Sequence, residues 1–386
     1  MLHQIQILNN IAQIGLTEFD SKYQLETNPK NPEAILLRSF ELSAEQIAAT
    51  VNVIARAGVG VNNIPIEYCN NLGIPVLNTP GANANAVKEL VLTGMLLACR
   101  NITQAWYYTQ SLSGDDQQLH ERVEKDKKQF AGSELAGKTL AVIGLGHIGL
   151  RVANAAIDLG MKVIGFDAAI TVKHAWQLSS QVTQAHSMLD ALQNADYVSL
   201  HIPLNDKTKH LFNSKLFAQM KKSSVLLNFS RAEIVEKAAL FSALNNNLHY
   251  YVCDFPSADF IGKPKIICLP HLGASTQEAE ENCAVMAAQQ IKSFLEHGEI
   301  RNSVNFPEVL MPRSTGFRLA VVNANVPNML AQISAVFSQK NINIIDMINK
   351  SRNEIAYTLL DLEQNVDEAT LLQLKKIQGV IRVRKI

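Results

Sequence analysis

Neither sign of charge is in excess: 35 Lys and Arg balance 35 Asp and Glu, and the pI lies near 7.1. A surface built for nucleic acid or an anionic membrane ordinarily carries a basic surplus, so neither partner is expected and only small local anion pockets remain open. The start, MLHQIQIL, lacks a basic segment followed by a long apolar run, so it does not read as a signal peptide. Long apolar runs are missing altogether; the nearest approach, ELVLTGMLLACR, is too short to span a bilayer and is flanked by charge. A cytoplasmic protein is expected. Cysteine is sparse: Cys69, Cys99, Cys253, Cys268 and Cys283 are odd in number, widely spread and without a CxxC pair. Buried free thiols are expected from that spacing, with no disulfide framework and no metal site.

The chain does have length and rhythm. Its 386 residues exceed one ordinary core and suit two or three domains. Over the first hundred residues short apolar strands (IQIL, AILLRS, VNVIARAG, IPVLNTP) alternate with helical patterns, which predicts an α/β domain with a mostly parallel sheet. At Thr139 the rhythm restarts as TLAVIGLGHIGLRVANAAIDLGMKVIGFD, and ADYVSLHIP, SSVLLNFS, HYYVCDFP and KIICLPH follow as buried strand ends. That pattern fits a doubly wound sheet, whose ligands lie beyond the carboxyl ends of its strands. From Ile300 to Gly316 periodicity fades and a linker is expected. The last 70 or so residues read β-α-β-β-α-β, an antiparallel sheet with both helices on one face and the size of a binding or assembly module.

Gly144, Gly146 and Gly149 form GLGHIG directly after a strand and at the mouth of a helix. The first glycine permits a tight turn, the second lets backbone approach a pyrophosphate, and the third lets helix pack on strand. The amides around His147 and Ile148 then meet the phosphates at the favourable end of the helix dipole. Asp167 ends the next strand, where a carboxylate can accept from ribose hydroxyls and repel a 2′-phosphate, so NAD is the expected cofactor. His147 is placed as a wall residue of this site.

Polar groups recur at the later strand ends. Arg231 follows VLLNFS, Asp254 and Asp259 bracket FPSA, and His271 follows KIICLP. Parallel strands bring such ends to one edge of a sheet. Oxidising a secondary alcohol needs a base for the hydroxyl proton, which neutral His271 supplies, and its charged form is the acid in reverse. The Arg231 fork suits a carboxylate and an adjacent carbonyl oxygen. A nearby carboxylate would orient His271. His201, after ADYVSL, is a rival base, better placed to line the cofactor.

The strings LLRS, RAGVGVNNI, GIPVLNTPGANANAVKEL, GKTLAVIGLGHIG, HIPLNDKTKHL, LLNFSRAEIV, CDFPSAD and LPHLGAST run through nearly the whole chain. Together they resemble the D-isomer-specific 2-hydroxyacid dehydrogenase family. The resemblance implies two Rossmann-like domains and a C-terminal ACT-like domain. Residues 1–97 and a returning piece, 287–305, would bind substrate; 98–286 would bind NAD; 306–315 would be the linker and 316–386 the regulatory domain. It puts the arginine on Arg231, the acid/base histidine on His271 and the nicotinamide-amide partner on Asp254. His201, Pro203, Thr208, Phe229, Ser230, Gly273 and Ala274 would line the cofactor.

The family's third catalytic member is a glutamate just after FP; here strict spacing falls on Ala258, and Asp259 is the nearby carboxylate. Arg38 and Ser39 match recognition of a phosphate end, with Arg56 beside them, and the backbone of Ala57, Gly58 and Val59 would approach a carboxylate, while Asn78 shapes the cleft. The implied reaction is NAD-dependent oxidation of 3-phospho-D-glycerate to 3-phosphooxypyruvate, leading toward L-serine. Glyoxylate, lactate or 2-oxoglutarate chemistry, or a non-catalytic NAD sensor, are the alternatives. The ACT-like unit implies L-serine as an effector at Asn323, Asn325 and Asn343, in a homodimer or homotetramer.

Overall fold

Five strands open the chain: β1 (His3–Leu8), β2 (Tyr23–Glu26), β3 (Ala34–Leu37), β4 (Val53–Arg56) and β5 (Val76–Leu77). In the computed structural model, which describes residues 2–314 and 316–386, they form an all-parallel sheet in the order β2-β1-β3-β4-β5. Strand β3, AILL, is buried at every position, as a central parallel strand covered on both faces must be. One cover is the helix Gln277–His297, which returns from far along the chain and buries Ala279, Cys283, Ala284, Ala287, Ala288 and Ile291. Its small side chains allow close approach: a Cβ on Gly15 would lie 2.5 Å from Ala284 Cβ. Compact unit one accordingly joins Met1–Ala82 with Gln277–Ile386, and unit two is Asn83–Thr276.

Unit two holds β6 (Thr139–Ile143), β7 (Lys162–Phe166), β8 (Thr183–Gln184), β9 (Tyr197–Leu200), β10 (Ser224–Asn228), β11 (Leu248–Cys253) and β12 (Ile266–Cys268). They form a parallel sheet ordered β12-β11-β10-β9-β6-β7-β8. The chain steps outward from β6 to β8, then returns and steps the other way from β9 to β12. Strand order therefore reverses between β6 and β9, and adjacent connections leave the carboxyl edge on opposite faces there, which opens a crevice for a ligand. All five cysteines are free thiols, four of them buried and Cys268 half-buried; register sets Cys253 opposite Cys268 with the sulfurs 3.6 Å apart. No helix among the described residues is long and apolar enough to cross a membrane.

The end of unit one is the expected β-α-β-β-α-β segment: β13 (Phe317–Ala324), helix Met329–Ser338, β14 (Ile344–Arg352), β15 (Ile355–Leu362), helix Glu368–Lys375 and β16 (Val380–Lys385). The sheet is antiparallel, ordered β14-β15-β13-β16. Period-two alternation splits its apolar residues between two cores. Leu319, Val321, Leu360 and Leu362 pack with Ile333 and Phe337 of its own helices. Ala320, Val322, Tyr357 and Leu359 face the other way and join Ile291, Phe294, Leu295 and Ile300 in the core of the first sheet. Residues 306–315, read from sequence as a linker, bury Phe306, Val309 and Met311 in that same core, and Ile300 and Val309 form an antiparallel bridge. Thr315 of that stretch lies outside the described residues.

Arg318 and Asp361 weld this arrangement. Both side chains are fully buried; Nε donates to Oδ1 at 2.6 Å and Nη2 to Oδ2 at 2.7 Å. Nη1 also donates to the carbonyls of His297 and Met311, and Nη2 to that of Pro312. A buried guanidinium is tolerable only with its donors satisfied in this way.

Candidate active site

The carboxyl ends of β12, β11, β10, β9, β6 and β7 present, in that spatial order, His271, Asp254, Arg231, His201, the glycine turn and Asp167. Residues scattered over 128 positions of sequence, from Gly144 to His271, thus share one edge of one sheet.

The glycine turn follows β6 and opens helix Gly149–Asp158. Gly144 has φ +93°, and a Cβ there would meet the His201 carbonyl oxygen at 2.5 Å. At Gly149 a Cβ would lie 1.8 Å from the Gly144 carbonyl oxygen, so the helix can start this close to the strand only without a side chain. Around the position a Gly146 Cβ would take, nothing lies within 4 Å, which leaves its backbone open to a pyrophosphate. Asp167 Oδ2 accepts from Leu145 N at 2.7 Å and Oδ1 from Ala169 N at 2.8 Å, fixing the carboxylate against the turn. A carboxylate has about four lone-pair sites, so capacity for a ribose remains. Beside it opens a cavity of about 420 Å³ lined by Leu145, Gly165, Asp167, Ile170, Leu178 and Val182, mostly apolar, as suits a purine. These features fit a dinucleotide with adenosine toward β7.

His147 meets His174 edge-on with ring centroids 4.6 Å apart. Partial desolvation first, then the charges of His174, Lys173 and Arg151, hold its pKa below the usual histidine value. His201 is a poorer base still: burial pushes its pKa down to about 3, and Nε2 shares a hydrogen bond of 2.8 Å with Ser199 Oγ. Downstream of it, Thr208 Oγ1 donates to the Pro203 carbonyl at 2.6 Å and closes the loop after β9.

Arg231 is exposed, with Nη1 donating to the Ser230 carbonyl at 2.6 Å. Its backbone is held by a residue that the sequence reading missed. Asn228, wholly buried at the end of β10, donates from Nδ2 to the Arg231 carbonyl at 2.9 Å and accepts the Ser230 N–H at 3.1 Å. The signal was present: an amide closing an apolar strand just before the reactive turn needs a buried partner. Ser230 Oγ reaches the Leu200 carbonyl at 2.6 Å and ties β10 to β9, while Phe229 is buried beneath.

Asp254 is buried, and its Oδ1 and Oδ2 accept the N–H groups of Leu272 and Gly273, each at 2.7 Å. The turn after β12 is thereby clamped from β11. Gly273 fits closely, since a Cβ there would stand 3.2 Å from Asp254 Oδ2, and Ala274 follows half-buried. His271 sits in this clamped turn with φ +58°, a left-handed conformation costly for a non-glycine residue. Its exposed ring meets Phe255 edge-on at 5.6 Å. Asp259 is not brought to it: that carboxylate pairs with Lys237 Nζ at 2.7 Å, and no ion pair joins it to His271 among the described residues. Lys237 also holds the Asp259 carboxyl below its usual pKa.

In unit one, Arg38 follows β3 and Arg56 ends β4, the neighbouring strand. Arg56 Nε and Asn63 Nδ2 both donate to the Arg38 carbonyl, at 2.9 and 3.1 Å. Arg38 Nη2 donates to Glu280 Oε1 at 2.6 Å. Ser39 is exposed, Ala57 buried, and Gly58 and Val59 half-buried; Asn78 Nδ2 donates to the Val59 carbonyl at 2.7 Å and so shapes that loop. In the terminal sheet Asn323 is buried with Oδ1 unpartnered, and Asn325 Nδ2 donates to the Asn353 carbonyl. Asn323 stands opposite Ala356, whereas the Asn343 carbonyl accepts from Glu363 N. Seven residues of strand separate those levels, about 23 Å at about 3.3 Å per residue, so one chain does not gather the three asparagines.

Comparison with known proteins agrees with this geometry. The family described as D-isomer specific 2-hydroxyacid dehydrogenase, NAD binding domain, matches residues 92–273. The chain is 33% identical over 377 residues to the D-3-phosphoglycerate dehydrogenase of Haemophilus influenzae, covering 94% of this chain and 88% of that one. Identity to the protein of the same description from Escherichia coli K12 is 32% over 379 residues, with the same coverage of 94% and 88%. Among solved structures, the NAD+-bound 3-phosphoglycerate dehydrogenase of Entamoeba histolytica superposes with a TM-score of 0.61 at 26% identity, over 79% of this chain and 99% of that one. Sequence, strand order and the glycine turn converge: the chain belongs to the D-isomer specific 2-hydroxyacid dehydrogenases, NAD-dependent oxidoreductases that act on 2-hydroxy acids.

Proposed function

We propose that the chain oxidises 3-phospho-D-glycerate to 3-phosphooxypyruvate with NAD, at the head of L-serine synthesis. The observation that carries this reading is the match over 94% of the chain to a protein described as D-3-phosphoglycerate dehydrogenase, a span that reaches into the terminal β-α-β-β-α-β unit. NAD supplies the acceptor for the hydride leaving C2. The turn Gly144–Gly149 with His147 and Ile148 would hold the pyrophosphate, and Asp167 the adenosine ribose. His201, Pro203, Thr208, Phe229, Ser230, Gly273 and Ala274 would line the rest, with Asp254 at the carboxamide.

Arg231 would hold the substrate carboxylate and the C2 oxygen, polarising that oxygen as its bond order rises. An imidazole nitrogen of His271 would take the hydroxyl proton as the C2–H bond breaks. Asp254 contributes by clamping the His271 turn. Asp259 would have to reach the imidazole from its pair with Lys237 to orient it. In unit one Arg38 and Ser39 would take the phosphate, with Arg56, the backbone of Ala57, Gly58 and Val59, and Asn78 completing the binding surface.

The test is NADH formation from 3-phospho-D-glycerate and its consumption with 3-phosphooxypyruvate, beside D-lactate, glyoxylate and 2-oxoglutarate. Robust turnover of the phosphorylated pair supports the reading; turnover of another acid alone replaces it. Asp167→Asn is expected to erode cofactor choice, lowering the kcat/KM ratio of NAD over NADP by at least about tenfold, because the charge opposing a 2′-phosphate is gone. An unchanged ratio would place that discrimination elsewhere.

L-serine is proposed as an effector of the terminal sheet, on the unpartnered Oδ1 of Asn323. Since one chain spreads Asn323 and Asn343 far apart, a site using both needs two copies, so serine affinity should track homodimer or homotetramer formation. Calorimetry with L-serine across a dilution series reads this, and absence of heat at all concentrations removes it.

A further inference from the structure

Arg38 already holds an anion. Its Nη2 donates to Glu280 Oε1 at 2.6 Å, and both side chains are partly open, 38% and 40% exposed. Glu280 lies in the first turn of helix Gln277–His297, where the positive end of the helix also favours a carboxylate. The pair is thus held from both sides: Arg38 by the end of a buried strand, Glu280 by a helix that packs on the same sheet. A second guanidinium, that of Arg56, lies on the adjacent strand end and is tied to Arg38 through its Nε.

We propose that Glu280 is a specificity-determining residue: its carboxylate competes internally for the Arg38 guanidinium and sets how far the chain prefers a phosphorylated 2-hydroxy acid over an unphosphorylated one. The inference rests on the reading that Arg38 takes the substrate's far end. A phosphate dianion arriving at Arg38 meets a guanidinium already engaged and a like charge within contact distance, so it must displace Glu280 or bind beside it. A hydroxyl or methyl end meets no such opposition. The discrimination is therefore one of charge, and it acts in ground-state binding, so it belongs in KM.

The experiment compares kcat/KM for 3-phospho-D-glycerate and D-glycerate in the full-length protein, wild type, Glu280→Gln, Glu280→Asp, Arg38→Ala and the Arg38→Ala/Glu280→Gln double variant. Glu280→Gln is expected to raise the ratio of phosphorylated to unphosphorylated substrate by about two- to fivefold, the scale of one partly exposed ion pair, through a lower KM for the phosphorylated one. Glu280→Asp keeps the charge and should stay nearer the wild-type ratio. In the Arg38→Ala background the gain should shrink, because the group competed for is gone. A ratio that stays level or falls in Glu280→Gln overturns the inference. If Arg38→Ala collapses the ratio while Glu280→Gln leaves it unchanged, the Arg38 reading stands and only the role of Glu280 falls. Should Arg38→Ala leave the ratio untouched, both fall. Inorganic phosphate titrated calorimetrically into the same proteins gives the comparison without turnover: tighter binding to Glu280→Gln supports the competition, and equal binding refutes it.

Discussion

Replacing His271 with alanine is expected to lower kcat about 10²–10⁴-fold in both directions, the usual contribution of a positioned acid/base group. NADH binding should survive, because the glycine turn and Asp167, expected to hold its pyrophosphate and ribose, lie on other strand ends, and the Asp254 clamp grips the backbone of Leu272 and Gly273, not the imidazole. Stopped-flow turnover together with NADH fluorescence titration separates the two quantities. Near-wild-type turnover in the variant would remove His271 from the chemistry. The neighbouring alternatives predict a contrast. His201, whose pKa burial lowers to about 3, is a poor proton carrier near neutral pH. Asp259, bound to Lys237, should give only a small loss when changed to Asn, about threefold or less for an exposed pair. A large loss at Asp259 would mean that its carboxylate takes part in the reaction.

Breaking the Arg318–Asp361 pair from one side is expected to cost about 3–5 kcal/mol, among the largest effects of any single substitution here. The cost comes from what remains: Asp361→Asn leaves a guanidinium without its counter-charge where both side chains have no exposure to water. Replacing both, as Arg318→Met with Asp361→Leu, removes the orphan charge and should recover much of the loss in urea denaturation. If Asp361→Asn unfolds within about 1 kcal/mol of wild type, water must enter the site and the pair is not sealed.

The same pair fixes a pH dependence. Burial alone would raise the Asp361 carboxyl, but hydrogen bonds from Arg318 and Ser314 and the Arg318 charge outweigh it and hold the pKa below 3.8. A carboxyl with a lower pKa when folded than when unfolded stabilises fully above the unfolded value, and that contribution is lost as pH falls from about there through the folded value. Wild type should therefore lose stability more steeply with acid than the double apolar variant.

Legibility from sequence was uneven for physical reasons. Strands buried at every position, such as AILL, or at all but the first, such as TLAVI, announce themselves, because a parallel strand between two helical layers has no polar face. The two-residue strand Thr183–Gln184 and the partly exposed Tyr23–Glu26 do not, since each is recruited to a sheet edge by its neighbour. Residues 306–315 read as a linker because they have no period, yet Phe306, Val309 and Met311 are buried. Irregular backbone leaves no pattern even when its side chains fill a core. For the candidate site, GLGHIG was legible because sterics alone demand glycine at Gly144 and Gly149. At Asn228 only the need for a buried partner was legible; that its partners are the backbone groups of Ser230 and Arg231 is decided once the turn has folded.

The sequence by itself determined the parallel architecture, the dinucleotide turn and the order in which Asp167, His201, Arg231, Asp254 and His271 arrive at strand ends, because hydrophobic period and glycine sterics are local properties of the chain. Only the tertiary structure decided the partners: Lys237 for Asp259, Glu280 for Arg38, Asp254 for the turn that carries His271, and a second core for the terminal sheet. Ion pairs and clamps join residues that are remote in sequence, and hydrogen bonding and charge attraction act over a few ångströms of space, so which candidate carboxylate meets which base is settled by packing.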